Sequence, residues 1–153
     1  MGVEEKLAAL GLEIPATFKP SGSYVPAQIA GNIIYASGQT GKKDGKLQHR
    51  GKLGAEISLE EGYEAARLAM VNCLGGLKAV LGDLDRIERI VRVTGYVASA
   101  PGFNEQPKVI NGASDLLLEV FGTKGEHART AIGVAELPGG APVEVEVICM
   151  LKE

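Results

Sequence analysis

An arginine and two glutamates lie on stretches that otherwise alternate like half-buried strands. In "HARTAIGVAELPGGAPVEVEVI", residues 127 to 148, apolar residues alternate on either side of Leu137-Pro138-Gly139-Gly140, which reads as two β-strands joined by a turn. Arg129 falls in the first strand, Glu144 and Glu146 in the second. Such residues either face solvent from an outer sheet surface or line a polar pocket, where a guanidinium supplies a fork of donors and carboxylates supply acceptors. A tight hairpin around Gly139-Gly140 sets Glu144 opposite Ala135 and Arg129 opposite Met150. The two are then about six residues apart along the ladder, roughly 20 Å at 3.3 Å per residue. They meet on one small ligand only if the register or curvature departs strongly from that hairpin, or if different chains supply them. The distance favours a pocket shared between subunits.

The elements that must position these groups are legible from pattern. Residues 3–10 suit a short amphipathic helix ended by Gly11. Two short strands, about 24–29 and 32–37, turn at Gly31-Asn32 and stop at Gly38, and a further short strand is possible near 46–48. Ser58 and Glu61 form a capping-box pattern at the start of a long helix. Leu59, Tyr63, Ala66, Met70, Cys73, Leu77 and Val80 line its apolar face, and Gly82 stops it. Gly75-Gly76 within it lowers helix propensity, which close packing against a sheet would explain. Residues 87–99 read as a long strand. A second helix starts near Pro107 and ends at Gly122.

The order β-β-(β)-α-β-α-β-β, with no repeat or linker, predicts one α+β domain over residues 1–153, a mixed β-sheet with two main helices on one face. The other sheet face is left over. The outer positions of the last strand, Glu144, Glu146, Ile148 and Met150, are polar at one end and apolar at the other, as suits an oligomer interface with a polar pocket at its edge.

Composition narrows the functional classes. The chain has 153 residues, 45% hydrophobic and 23% charged, and a net charge of −3, ordinary values for a globular domain. That charge gives no general electrostatic case for nucleic acid. Lys42, Lys43, Lys46, Arg50 and Lys52, with His49, form one basic cluster, read as a solvated loop. Cys73 and Cys149 lie in apolar patterns, as buried thiols in a reducing compartment do. The first residues, "MGVEEKLAAL", resemble neither a signal peptide nor a myristoylation site, and no apolar stretch approaches the length of a membrane span. A cytoplasmic location is expected.

Three landmarks occur in order: "SGSYVPAQIAGNIIYASGQTG", "VIN" leading into the second helix, and "HARTAIGVAELPGGAPVEVEVI". Over nearly its whole length the chain resembles the reactive-intermediate deaminases, the Rid, YjgF-type or L-PSP family. The resemblance implies a chorismate-mutase-like fold assembled as a homotrimer, sheets packed inward, with clefts between subunits. Active members of the family hydrolyse 2-imino acids and their enamine tautomers to 2-keto acids and ammonia, with no metal or cofactor. Carried over, Arg129 holds the substrate carboxylate and Glu144 positions or activates water, while Tyr24, Gly38 and Asn111 line the cleft. A planar guanidinium offers parallel donors to a carboxylate, and a carboxylate can accept the proton of an attacking water.

The chain departs from the family pattern at Ala131, where well-characterised members carry a cysteine. It also departs in a longer loop, "GTKGE", and in an extended N-terminus. Beside deamination stand two other readings. One is a non-catalytic binder of small carboxylates such as 2-keto acids, which would need the arginine but not the glutamate. The other is an RNA-directed ribonuclease or translation inhibitor, against which the net acidity argues.

Overall fold

Ser58 starts the longest element. In the computed structural model, which describes residues 1–15 and 22–153, Ser58 Oγ accepts from the Glu61 amide at 3.1 Å, and Glu61 Oε1 accepts from the Ser58 amide at 3.0 Å. This capping box satisfies two backbone donors that the first helical turn leaves orphaned. The helix, α2 (Leu59–Leu81), stops at Gly82, whose φ of +80° suits glycine. A short α1 (Val3–Ala9) precedes it and α3 (Gln106–Phe121) follows. The strands are β1 (Ala27–Ala30), β2 (Ile33–Ala36), β3 (Gln39–Thr40), β4 (Lys42–Lys43), β5 (Lys46–Leu47), β6 (Ile87–Ala98), β7 (Ala128–Val134) and β8 (Val143–Leu151). Ser21, at the head of the first landmark, lies outside the described residues.

The main sheet runs β1-β2-β8-β6-β7, with β3 also paired to β8. The hairpin expected for residues 127–148 does not form. β7 pairs parallel with β6, while β8 pairs antiparallel with the opposite edge of β6. The reason is α3. A helix between β6 and β7 returns the chain to the starting end of β6, so the next strand lies beside it in parallel. That side is then filled, and β8 must add on the other. Gly139 and Gly140 do make a turn, with φ of +67° and +79°, but it joins strands separated by β6. Farther back, the basic segment is itself a hairpin, with β4 and β5 paired around Asp44-Gly45, both at positive φ. Such a two-residue turn matches strand twist.

Both long helices cover one face of the sheet. Val93, Val97, Val143, Val145, Val147 and Cys149 point into that core and are buried. The opposite face carries Tyr96, Glu144, Glu146, Ile148 and Met150, all partly exposed, and Tyr35, which pairs with Ile148. In α2 the middle of the expected stripe is buried, but Leu59 and Val80 at its ends are 37% and 38% exposed. Gly75 does make a close contact, though with the segment after α1 rather than the sheet: an added Cβ would lie 3.0 Å from Pro15.

Two other glycines seat α3. A Cβ on Gly112 would come 2.0 Å from the Tyr63 carbonyl oxygen of α2, and one on Gly95 of β6 would come 2.5 Å from Ile110. The absence of side chains there lets α3 press onto helix and strand at once. Tyr63 donates to Asp115 at 2.6 Å, and Arg67 bonds both carboxylate oxygens of Glu119 at 3.2 and 2.9 Å, tying α2 to α3.

Candidate functional site

Arg129 pairs in the ladder with Val93, whose side chain is buried under the helices. Ladder partners share a face, so Arg129 reaches toward α3. Its Nη1 donates to Asn111 Oδ1 at 2.7 Å and to Ser114 Oγ at 3.2 Å, and its Nη2 lies 3.4 Å from the Pro107 carbonyl oxygen. All three acceptors are neutral. Among the described residues, no carboxylate is ion-paired to Arg129. Among the described residues, three of the five guanidinium donors are engaged, and Nε–H and one Nη2–H have no partner.

Ser114 and His127 complete this cluster, and neither was singled out for it from sequence. His127 Nε2 lies 2.8 Å from Ser114 Oγ, and its Nδ1 lies 2.6 Å from the Gly125 carbonyl oxygen. A readable signal existed. Asn111 and Ser114, three apart, share a helix face, while His127 and Arg129, two apart, share a side of an extended segment.

Glu144 belongs to a second cluster. It pairs with Tyr96 on β6 and Thr40 on β3, and its side chain occupies the open face. A Cβ on Gly38 would stand 3.2 Å from Glu144 Cδ, so glycine lets the two approach. Burial, and secondarily the charge of Glu146, raises the Glu144 carboxyl above its ordinary range. Glu146 itself accepts from Tyr96 Oη at 2.9 Å, which lifts the phenol. Arg92 bonds Thr130 Oγ1 on the same face. Ser37 donates from its amide to Pro26 O at 2.9 Å and from Oγ to Val25 O at 2.6 Å. This ties the segment carrying Tyr24, which is 45% exposed, to the residue before Gly38.

One chain therefore brings Arg129 together with Asn111, and Glu144 with Gly38, whose neighbour Ser37 is tied to Val25 and Pro26, but not the two groups with each other. The partners of Arg129 and Glu144 on β6, Val93 and Tyr96, are three residues apart. With one strand spacing on either side, the backbones lie about 14 Å apart. The side chains also leave opposite faces of the sheet. The hairpin estimate of their separation was wrong in its geometry, yet the two groups still do not converge within one chain.

The basic cluster is partly committed to internal bonds. His49 pairs with Glu61 at 3.3 Å, Lys52 with Glu136 at 3.0 Å, and Arg50 donates to the Gly139 carbonyl at 2.9 Å. Lys42, Lys43 and Lys46 remain exposed on the small hairpin. Both cysteines are buried and free. Desolvation pushes Cys149 up to about 12 and Cys73 further still, so neither supplies a thiolate nucleophile at neutral pH. No helix among the described residues is long and apolar enough to cross a membrane.

An α+β sheet with this strand order and helices on one face is the architecture of a known group. Residues 4–147 match the family described as "YjgF/chorismate mutase-like, putative endoribonuclease", and the chain belongs to that family. It is 44% identical to Protein TCP17 of Trypanosoma cruzi, over 98% of this chain and 94% of that one. It is 29% identical to a 2-iminobutanoate/2-iminopropanoate deaminase of Dermatophagoides farinae, over 92% and 95% of the two chains. Among solved structures, that of a putative endoribonuclease from Shewanella oneidensis superposes with a TM-score of 0.94 at 38% identity, covering 99% of this chain and all of the other.

Proposed function

We propose that the protein is an imine/enamine deaminase. It hydrolyses 2-imino acids such as 2-iminobutanoate and 2-iminopropanoate to 2-keto acids and ammonia, in a cleft completed by a second copy of the chain. The observation that carries this reading is the Arg129 guanidinium, oriented by three neutral acceptors with its charge left for a ligand. A carboxylate is the complementary planar anion. The named deaminase relative supports the same reaction class.

The chemistry asks little of the protein. The C=N carbon is electrophilic, so water adds to it and the carbinolamine expels ammonia as the C=O forms. Glu144 accepts a proton from the attacking water and returns it to the leaving nitrogen. Its raised pKa suits that exchange, because a carboxylate held above its ordinary range takes up a proton more readily. Arg129 anchors the carboxylate beside the reacting carbon, and Asn111 steadies Arg129. Gly38 gives Glu144 room on this side, and in this reading Tyr24 lines the same cleft. The reaction needs neither metal nor cofactor.

Arg129 and Glu144 stand on opposite faces and on different strands, so the cleft requires each from a different subunit. The apolar positions on the open face, exposed Tyr35 and partly exposed Ile148 and Met150, support an inward-packed homotrimer of the kind the family resemblance implies. The test is release of 2-ketobutyrate and ammonia from freshly generated 2-iminobutanoate. Arg129→Ala removes a charge-assisted bidentate contact worth roughly 1.5–3 kcal/mol, which raises KM about 10–100-fold. Equal turnover and KM in the variant would reject the clamp. Binding of 2-ketobutyrate without any acceleration of hydrolysis by the wild type would leave a carboxylate-binding protein instead.

A further inference from the structure

The clamp has a support of its own. We propose that Ser114 and His127 are positioning residues for Arg129, a relay that fixes the guanidinium so that its free edge meets an anionic ligand. The proposal rests on the reading of Arg129 as a carboxylate clamp.

The direction of the relay follows from its far end. The Gly125 carbonyl only accepts, so His127 Nδ1, at 2.6 Å, carries the hydrogen. With that tautomer of the neutral ring, Nε2 is an acceptor, and Ser114 Oγ, at 2.8 Å, donates to it. The single hydroxyl hydrogen is then committed, and the oxygen presents lone pairs to Arg129 Nη1 at 3.2 Å. Every group in the series has a partner of the right kind. Ser114 is only 8% exposed, so its hydroxyl has little water to turn to and holds its orientation.

Backbone packing fixes both ends. A Cβ on Gly125 would lie 2.3 Å from the Leu117 carbonyl oxygen, so only glycine lets this loop press against α3 and deliver its carbonyl to His127. Ser114 is held on the same helix, whose seat on α2 is fixed at Gly112. The relay is thus referenced to the α2–α3 core rather than to the strand it serves. Asn111 alone bonds Arg129 Nη1 along one direction. Ser114 adds a second, and with the longer contact of Nη2 to the Pro107 carbonyl at 3.4 Å the plane of the group is fixed as well as its position. An arginine held this way loses little further freedom on binding.

A purely structural role, pinning the start of β7 to α3, predicts altered melting without altered ligand affinity. The test therefore reads binding and side-chain order together. Calorimetry with 2-ketobutyrate and the NMR signal of the Arg129 Nε–H, assigned by its loss in Arg129→Ala, are followed in Ser114→Ala, His127→Phe and His127→Gln. Ser114→Ala and His127→Phe should weaken binding about tenfold, the effect of one lost hydrogen bond in an ordered network. They should shift and narrow the Arg129 signal and, with 2-iminobutanoate as substrate, raise KM more than they lower kcat. His127→Gln keeps an acceptor near the Nε2 position and should restore all three readouts.

An unchanged Arg129 signal and unchanged affinity in Ser114→Ala, with binding abolished in Arg129→Ala, would overturn the relay and leave the clamp intact. If Arg129→Ala also binds 2-ketobutyrate normally, the clamp falls. The NMR signal then still decides whether Ser114 and His127 order that side chain. Failure of His127→Gln to rescue, beside a loss in His127→Phe, would reduce His127 to a packing role.

Discussion

Replacing Gly112 by alanine sets two physical effects against each other with opposite signs. Gly112 lies in the interior of α3, where alanine is favoured over glycine by about 0.8–1.0 kcal/mol. On propensity alone the variant is stabilised. But the new methyl would stand 2.0 Å from the Tyr63 carbonyl oxygen, 2.9 Å from its carbon and 3.1 Å from the Arg67 amide nitrogen. All three are backbone atoms of α2, so no rotamer change relieves the contact. Restoring an ordinary separation of about 3.4 Å requires the helices to part by about 1.4 Å, and overpacking of this sort costs roughly 1–3 kcal/mol. The parting also stretches the Tyr63–Asp115 and Arg67–Glu119 bonds across the same interface.

Because all three contacts are to backbone, the cost falls in the upper part of that range, about 2–3 kcal/mol; less the roughly 1 kcal/mol of propensity, the net loss is about 1–2 kcal/mol, or roughly 2–8 °C in Tm for a domain of this size. Gly62→Ala is the matched control. Its methyl meets side chains rather than backbone, Leu53 at 2.8 Å and Val109 at 3.2 Å, both buried; side chains can give where a carbonyl cannot, so its Tm should fall less than that of Gly112→Ala. Thermal melts by circular dichroism compare the two. A Gly112→Ala protein melting at or above wild type would refute the contact argument. If α3 moves as expected, Asn111 and Ser114 move with it, and affinity for 2-ketobutyrate should fall alongside Tm.

Glu144 and the divided cleft carry two further expectations. Burial and Glu146 raise the Glu144 pKa in the folded protein, so folding is favoured with this group protonated; that contribution is full below the unfolded carboxylate range and is lost as pH rises through the higher folded value. Glu144→Gln should accordingly melt above wild type near pH 7 while hydrolysing slowly, with its stability advantage shrinking toward about pH 4; an advantage that grows at low pH would reverse the sign. Second, Arg129→Ala and Glu144→Gln chains, each impaired alone, should recover activity when unfolded together and refolded, to about one quarter of wild type for random assembly of clefts built from two chains; no recovery in mixed oligomers would place both residues in the same subunit's site.

Local signals were easy to read in the sequence because each is written in a few neighbouring residues. Ser58 and Glu61 announce the start of α2, Gly82 its end, and Pro107 and Gly122 bracket α3. Strand partners are different. The alternation in β7 and β8 says which side chains share a face but not which strand lies alongside, and the Gly139-Gly140 turn suggested the nearest neighbour. The deciding fact was the earlier helix, which commits β7 to a parallel place beside β6 and leaves β8 the other edge.

The site was legible in proportion to how unusual its residues are for their setting. Arg129 stands out in an apolar strand, whereas Ser114 reads as one more helix residue and His127 as a surface histidine. Their role depends on a contact between helix and strand that no local pattern contains.

β8 follows every other strand in the chain, yet it occupies the middle of the sheet, between β2 and β6. During synthesis β1 and β2 emerge early and can pair only with each other, while β6 and β7 form a separate parallel unit around α3. The two halves share no strand ladder until residues 143–151 arrive to join them. The last strand thus acts as a keystone. Completion of the sheet waits on residues 143–151, and a chain interrupted before Val143 presents two unpaired edges, β2 and β6, of the kind that invites association between incomplete molecules.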